Sequence, residues 1–248
     1  MKLNTAAINI VIFVTLIFIT PVSASMPKEK ADILAHEKVI SNVIKAYGGE
    51  KAIKSINTIY AKGKTNALMR GLKGTYIRYF KRSRKLRVET LYSLSSEVRI
   101  LNGSTGWRGN ISELPSQVTG ARYLAMVYQY KQLDLPYGLL KRNYRVIRAG
   151  KGYLNNKLSH VLDLLDNEGP PLRVYIDPDT FYIVKVIASL KKGEATAALS
   201  AEFSDFRIID GVPLPHRILN YAVGHKVGET VIEEYSINPP MDDKLFRP

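Results

Sequence analysis

Residues that could perform chemistry are few in this sequence, and their spacing does not join them into a known kind of site. The chain of 248 residues contains no cysteine, which excludes disulfides, thiolate metal sites and cysteine nucleophiles. Its four histidines, His36, His160, His216 and His225, lie far apart without metal-ligand spacing. Nucleophile-elbow, zinc-helix, phosphate-loop and dinucleotide-binding motifs are all absent. We therefore predict no catalytic residue, no metal and no cofactor, and a protein that is not an enzyme.

One pair of carboxylates stands close together in the sequence, at Asp177 and Asp179. Paired carboxylates can perform the acid and base steps of glycoside hydrolysis. Pro178 between them is also typical of a turn, and we interpret the pair as turn-forming. A hydrolase built on scattered Asp and His side chains remains an alternative, which loss of an activity on changing Asp177 or His216 would support.

The charge of the chain is a stronger functional signal than its motifs. There are 36 Lys and Arg against 22 Asp and Glu, which gives a net charge of +14. Basic residues concentrate in residues 62–87, which contain no acidic residue, and in residues 131–151. This distribution predicts a basic side that is either a solvated surface or a surface for phospholipid headgroups, lipopolysaccharide phosphates or an acidic partner protein.

The N-terminus has the pattern of a signal peptide. Lys2 precedes an apolar run over residues 8–19, Pro21 ends that run, and small residues follow up to Ala24. We predict a cleaved signal peptide over residues 1–24 and a periplasmic protein, with an uncleaved membrane anchor as the alternative. Export argues against nucleic acid as the anionic partner.

Hydrophobic periodicity predicts two helical regions and a long run of strands. An amphipathic helix is expected over residues 28–47, ended by Gly48 and Gly49, with a short helix over 50–56. Period-two strands then follow, interrupted by a second amphipathic helix over residues 117–133 that residues 134–138 are expected to end. Strand and turn repeat about every ten residues. We predict one domain, residues 25–248, whose antiparallel sheet curls into a barrel or half-barrel with helices in its concavity.

The order of these elements resembles the LolA-like family of periplasmic lipoprotein carriers, the outer-membrane lipoprotein-sorting proteins. The resemblance is spread over the whole mature chain. It is clearest in residues 76–82 with Leu86, 102–107, 177–185, and 203–215 with the closing segment 238–246.

This resemblance implies an α+β fold that is mainly β with helices: a curved antiparallel sheet forming an incomplete β-barrel covered by helices around an apolar cavity for acyl chains. An Arg after the second strand and a nearby aromatic residue control opening in the family, and Arg82 matches that Arg. Ser83 stands where the family has Pro, and Leu86 stands where it has the aromatic residue. The ligand-binding residues that we predict are Arg82, Leu86, Phe80, Trp107, Leu124, Met126, Val127 and Tyr130.

The function that follows is a monomeric, chaperone-like carrier in outer-membrane biogenesis. It would bind the acyl chains of a lipid or lipoprotein and move them towards the outer membrane, with inner- and outer-membrane proteins as further partners. The alternative is a sensor or regulatory module of the same fold, which recognises a lipid or an envelope protein without transporting it.

Overall fold

The computed structural model describes residues 28–192 and 195–248, so the predicted signal peptide lies outside the described residues. The division into residues 1–24 and a domain of residues 25–248 therefore stays a prediction. Within the described ranges the helices are α1 Lys28–Ala46, α2 Gly49–Ser55 and α3 Gly120–Leu140, with 3-10 turns at Leu68–Arg70 and Asp243–Phe246. The strands are β1 Thr58–Ala67, β2 Leu72–Lys81, β3 Lys85–Tyr92, β4 Ser96–Asn102, β5 Thr105–Gly109, β6 Ser116–Val118, β7 Arg145–Leu154, β8 Lys157–Leu165, β9 Leu172–Ile176, β10 Ile183–Lys192, β11 Ala195–Ile209, β12 Val212–Ala222 and β13 His225–Ile237.

All thirteen strands found in the described ranges form one antiparallel sheet that is curved and does not close. Their order is β6-β5-β4-β3-β2-β1-β13-β12-β11-β10-β9-β8-β7, so β6 and β7 are the two edges. In the chain, α3 connects these two edges, and it lies against the inner face of β3, β4, β5 and β10. The predicted fold class, a mainly β protein with an incomplete barrel covered by helices, is confirmed.

Alternation of side chains along the strands builds an apolar inner face beneath α3. Ile59 on β1 lies opposite Phe80 on β2, which lies opposite Leu86 on β3, which lies opposite Leu101 on β4. All of these side chains are buried in the main hydrophobic core. Because successive residues of a strand point to opposite faces, this row fixes which face of the sheet is the interior.

The helix α3 differs from the prediction at both ends. A helix was expected over residues 117–133, but residues 116–118 form β6 and the helix continues through Pro136 to Leu140. Pro136 removes one helix hydrogen bond, which costs about 3 kcal/mol. Leu135 and Leu139, which are buried in the core, each contribute about 1.5–3 kcal/mol. Burial of this last turn therefore outweighs the proline signal.

The helix ends where the backbone turns left-handed at Arg142, whose φ is 55°. The amide of Asn143 donates to the carbonyl of Gly138 at 2.9 Å. Gly138 is needed there because a Cβ atom would lie 2.4 Å from the ring of Tyr144. The end of α3 is thus set by tertiary packing rather than by its own sequence.

The junction of β1 and β13 supplies a test of the register. The pairing shifts between Lys62 and Gly63, and a Cβ atom at Gly63 would lie 2.0 Å from the carbonyl oxygen of Val231. We expect Gly63→Ala to lower the free energy of unfolding by about 2–3 kcal/mol in urea titrations, since neighbouring backbone must move. Gly150→Ala on β7 is the control, because a Cβ atom there meets nothing within 4 Å. Equal losses for both variants would contradict this register.

Candidate ligand-binding site

The structure brings together six of the predicted ligand-binding residues beneath α3. Phe80 and Leu86 from the sheet and Met126, Val127 and Tyr130 from α3 are buried in one core, and Leu124 packs against it. The rings of Phe80 and Tyr130 stack with centroids 4.9 Å apart. These side chains fill the concavity with contacts between helix and sheet, so their role in binding a ligand stays a prediction.

Trp107 lies on the opposite face of the sheet from this core. It pairs with Ile100, and both belong to a separate cluster with Val98 and Phe246 under the C-terminal segment. Its neighbour Gly106 faces α3 instead, since a Cβ atom there would lie 3.0 Å from Sδ of Met126. The structure therefore does not bring Trp107 together with the other predicted residues.

Arg82 ties together β2, α2 and α3. Its guanidinium group donates to the carbonyl oxygens of Ile53, at 2.6 Å, and Lys54, at 3.2 Å, in the last turn of α2. It also lies over the ring of Tyr137 on α3, with Cζ 3.7 Å from the centroid. A cation at a helix C-terminus satisfies free carbonyl groups and opposes the negative end of the helix dipole. We call Arg82 with Asp134 and Tyr137 the latch.

Asp134 is the member of the latch whose buried carboxylate is least well compensated. Its Oδ1 atom is 3.8 Å from Nε of Arg82 and, although buried, has no hydrogen-bond partner. Burial raises the pKa of Asp134 to about 6, although Arg82 and Lys131 act to lower it. The charged form of this carboxyl group is therefore disfavoured in the folded protein.

The latch opens onto a polar pocket of about 510 Å³ at this end of the sheet. Lys131 forms an ion pair with Asp166 in its wall. Arg84 donates to the hydroxyl of Tyr123 at 3.1 Å and to the carbonyl of Glu168 at 2.6 Å. Because positive and negative side chains balance in this wall, the pocket has no strong preference for an anion.

The turn between β2 and β3 requires a positive φ at Ser83, where the family resemblance predicts Pro. Ser83 and Arg84 have φ angles of 65° and 66°, the left-handed pair of a two-residue hairpin. Proline is fixed near a φ of about −65° and cannot occupy this conformation. The turn that places Arg82 therefore requires a residue other than proline.

An apolar pocket of about 400 Å³ lies between α1 and the strands β7 and β8. Val39 from α1 and Ala149, Leu162 and Phe181 from the sheet side contribute to its wall. His160 stacks on Phe181, with centroids 5.7 Å apart. This pocket was not predicted from the sequence, because the residues of its wall are separated along the chain and become neighbours through the β7–β8 pairing.

The carboxylates considered for catalysis form a turn. Oδ1 of Asp177 accepts hydrogen bonds from the amides of Asp179 and Thr180, at 3.0 and 2.9 Å. Although burial acts to raise it, Lys157 and these amides lower the pKa of Asp177 to about 2. His216 is buried with Nδ1 3.1 Å from the carbonyl oxygen of Leu214. Asp177 thus has no proton to donate near neutral pH.

In the described part of the chain, the His, Asp and Glu side chains form no cluster of three that could hold a metal ion. None of the helices in these residues is long and apolar enough to cross a membrane.

Three solved structures have a similar architecture. A domain provisionally named as an outer membrane lipoprotein-sorting protein, from Vibrio parahaemolyticus, has a TM-score of 0.52 and 12% identity, covering 85% of this chain and 96% of its own. A DUF1329 family protein from Desulfovibrio piger has a TM-score of 0.54 and 12% identity, covering 85% and 96%. A LolA superfamily protein from Nitrosomonas europaea has a TM-score of 0.52 and 14% identity, covering 86% and 97%.

No protein-family model and no curated protein matches the sequence. The structural likeness at these identities concerns the fold, and it confirms the resemblance inferred from the sequence at that level. The chain has a LolA-like fold.

The raised pKa of Asp134 predicts a particular dependence of stability on pH. A carboxyl group whose pKa is about 6 in the folded protein and 3.8 when freely exposed favours the fold when protonated, and this contribution is lost as pH rises through that interval. We expect Asp134→Asn to be more stable than the wild type by about 1–3 kcal/mol near pH 7.5 and equal to it near pH 4. Urea unfolding across this pH range measures the difference.

Asp243→Asn serves as the control, because it should change the stability at neutral pH in the opposite direction. Hydrogen bonds from Lys81 and Lys85 lower the pKa of Asp243 to about 2, so its charged form favours the fold. This variant should be less stable than the wild type at neutral pH, with the difference shrinking in acid as the carboxylate of the wild type is protonated. A gain at neutral pH in both variants would show that the effect at Asp134 is not specific to its burial.

The hairpin at Ser83 predicts contrasting effects for two substitutions. Ser83→Pro should destabilise the protein by about 2–3 kcal/mol, because the turn must be rebuilt around a negative φ. Ser83→Gly, which adopts positive φ readily, should change the stability by about 0.5 kcal/mol or less. Thermal unfolding of the two variants checks this, and a Ser83→Pro variant as stable as the wild type would refute the left-handed turn.

Proposed function

We propose that the protein is a periplasmic carrier that binds the acyl chains of a lipid or lipoprotein between α3 and the inner face of the sheet. The observation that carries this proposal is the position of α3 in the chain. It connects the two unpaired edges, β6 and β7, and it covers the apolar inner face between them. The helix can therefore leave the sheet without breaking any pairing between strands.

Both ends of α3 have backbone suited to such a movement. Gly120 at its start has a φ of 58°, and Arg142 after its end has a φ of 55°. Each is a single left-handed residue at an element boundary, where a change of a few dihedral angles redirects a helix. Between them, Val127 and Leu135 are fully buried against the core, so movement of the helix exposes a continuous apolar surface.

An acyl chain is a suitable replacement for the buried face of α3. Each buried methylene group contributes about 0.8 kcal/mol, so a chain of ordinary length offsets the loss of several buried side chains. The binding is non-enzymatic, because the exchange of one apolar surface for another needs no chemical step. The similarity in fold to a domain named for lipoprotein sorting supports this choice of ligand.

The contacts of the latch are the ones that must break when the last turns of α3 leave the sheet. The ring of Tyr137 and the carboxylate of Asp134 are the groups of α3 that contact Arg82, which is itself held to α2 by two carbonyl oxygens. Separation of α3 from Arg82 leaves the arginine satisfied by α2 and frees the last turns of the helix. Export into the periplasm, predicted from residues 1–24, would place this binding site between the two membranes.

The absence of cysteine from the chain allows a direct test with an engineered pair. A Cβ atom added at Gly106 would lie 3.0 Å from Sδ of Met126, so Gly106→Cys with Met126→Cys places two thiols across the boundary of β5 and α3. Oxidation, or a short bis-maleimide, should then hold α3 on the sheet. We expect the locked protein to bind a fluorescent long-chain fatty acid at least about tenfold more weakly than the reduced protein.

Reduction should restore the binding, and each single cysteine variant under oxidising conditions is the control. Equal binding by the locked and reduced forms would contradict entry beneath α3 and direct attention to the pocket between α1 and β7–β8. Incubation of loaded protein with acceptor vesicles then separates a carrier, which releases its lipid to them, from a sensor, which retains it.

A further inference from the structure

Three arginines lie in one row across the inner face of the sheet. Arg78 on β2 is opposite Val88 on β3, Val88 is opposite Arg99 on β4, and Arg99 is opposite Arg108 on β5. All three arginines contribute to the wall of one pocket of about 380 Å³. Like charges directly opposite each other on neighbouring strands destabilise a sheet unless an anion balances them.

Arg78 is the most deeply buried of the three, with 3% of its surface exposed. Its Nη2 atom donates to the hydroxyl of Tyr235 at 3.3 Å, and its Nε atom has no partner. Burial raises the pKa of Tyr235 to about 12, and its hydroxyl donates to the carbonyl of Pro215 at 2.8 Å. Tyr235 is therefore neutral, and Arg78 has no carboxylate partner among the described residues.

A single carboxylate group forms ion pairs with the other arginines of this pocket. Oε1 of Glu97 lies 3.2 Å from Nε of Arg99 and 3.3 Å from Nη2 of Arg108, and Oε2 lies 3.9 Å from Nη1 of Arg70. Among the described residues in the wall of the pocket, Glu97 is the only acidic one. Four guanidinium groups thus face one carboxylate, and the buried one, that of Arg78, lacks a carboxylate partner although buried charges are normally paired.

The pocket adjoins the apolar interior through Arg78. The same side chain contributes to a cavity of about 30 Å³ whose wall includes Leu133, Phe203 and Ile218. Hydroxyl groups of Thr90 and Thr230 add further polar atoms on the side of the arginines. A molecule with an oxyanion beside Arg78 would therefore have its other end at the core beneath α3.

We propose that this arginine pocket binds the carboxylate or phosphate group of the acyl-chain ligand. The planar guanidinium group, with its fork of N–H donors, fits either oxyanion in a bidentate way. The inference rests on the proposed function for the acyl part of the ligand, whereas the oxyanion part rests on the arginines alone. The ligand is thus an anionic amphiphile with its head at the arginines and its chain beneath α3.

Exposed apolar side chains at the same end of the sheet as the pocket favour a lipid as the source of this group. Met69 follows β1, Leu94 follows β3 and Leu114 follows β5, so all three lie at the same end of the sheet as Arg70. Their exposed fractions are 75%, 97% and 80%. Apolar side chains beside basic ones suit the surface of a bilayer better than they suit bulk water.

Pairs of ligands that differ only in charge test the proposal by calorimetric titration. Decanoate is compared with decanol, lauroyl lysophosphatidate with monolauroylglycerol, and inorganic phosphate supplies the free oxyanion. We expect the charged member of each pair to bind about tenfold more tightly than the neutral one. Equal affinity within both pairs would overturn the proposal and leave acyl binding intact.

Variants that should change the preference for a charged ligand in opposite directions make the test specific to the pocket. Arg108→Gln should lose most of the preference for charge, and Glu97→Gln should increase it, because the competing carboxylate is removed. Arg78→Gln should have the larger effect if it folds, and Arg108, whose side chain is 48% exposed, provides the variant that keeps the fold. Arg217→Gln, which removes an equal charge at the ion pair with Glu229, is the control and should behave as the wild type.

Three further outcomes would count against the pocket, against acyl binding or against an amphiphilic ligand. An equal loss in Arg217→Gln and Arg108→Gln would refute the pocket in favour of general attraction to a basic protein. If no acyl ligand binds, the proposed function fails, and the arginine pocket stands only if phosphate raises the melting temperature of the wild type but not of Arg108→Gln. If phosphate alone binds as tightly as lysophosphatidate, the amphiphile is wrong and the ligand is a free oxyanion.

Discussion

The structure depends on one constraint: the part of the inner face that lies beneath α3 is apolar, yet the sheet does not close over it. The edges β6 and β7 stay apart, and α3 is the segment that both joins them and covers the face between them. The hydrogen bonds between strands do not involve the helix, while burial of side chains such as Val127 and Leu135 holds the helix on the sheet. The proposed movement of α3 would therefore leave the pairing of the strands intact.

The two ends of the concavity differ in their electrostatics. The described residues contain five buried side-chain atoms without hydrogen-bond partners, and all of them belong to the latch or to residues of the arginine pocket. Nε of Arg82 and Oδ1 of Asp134 belong to the latch, whereas Nε of Arg78, Nε of Arg99 and Oε1 of Gln129 face the arginine pocket. Polar atoms left in this condition reduce stability and are concentrated where function requires them. The apolar middle of the inner face has none of them.

Period-two alternation and turn residues were enough to predict most of the strands and a curled antiparallel sheet, whereas its incomplete closure was implied by the family resemblance. The end of α3 could not be predicted, because burial of Leu135 and Leu139 outweighs the signal of Pro136. Residues 149–154 of β7 carry glycines and no β-branched residue, so their strand exists through pairing with β8 rather than through propensity. The row of Arg78, Arg99 and Arg108 appears only when the register of four strands is known. The same register places Trp107 on the outer face, which its position in a hairpin motif did not reveal.

The middle of the sheet joins the first strand of the chain to the last one. β1 pairs with β13 from Ile59 opposite Ile237 to Asn66 opposite Glu229, and Oδ1 of Asn238 accepts from the amide of Asn57 at 2.7 Å. Contacts between such distant segments form slowly, because a very long loop must close first. A chain that crosses a membrane from its N-terminus would keep β1 without this partner until its last residues arrived. Folding would then be completed after translocation, which leaves the chain extended during transit and exposes its apolar strands to any holding chaperone on the far side.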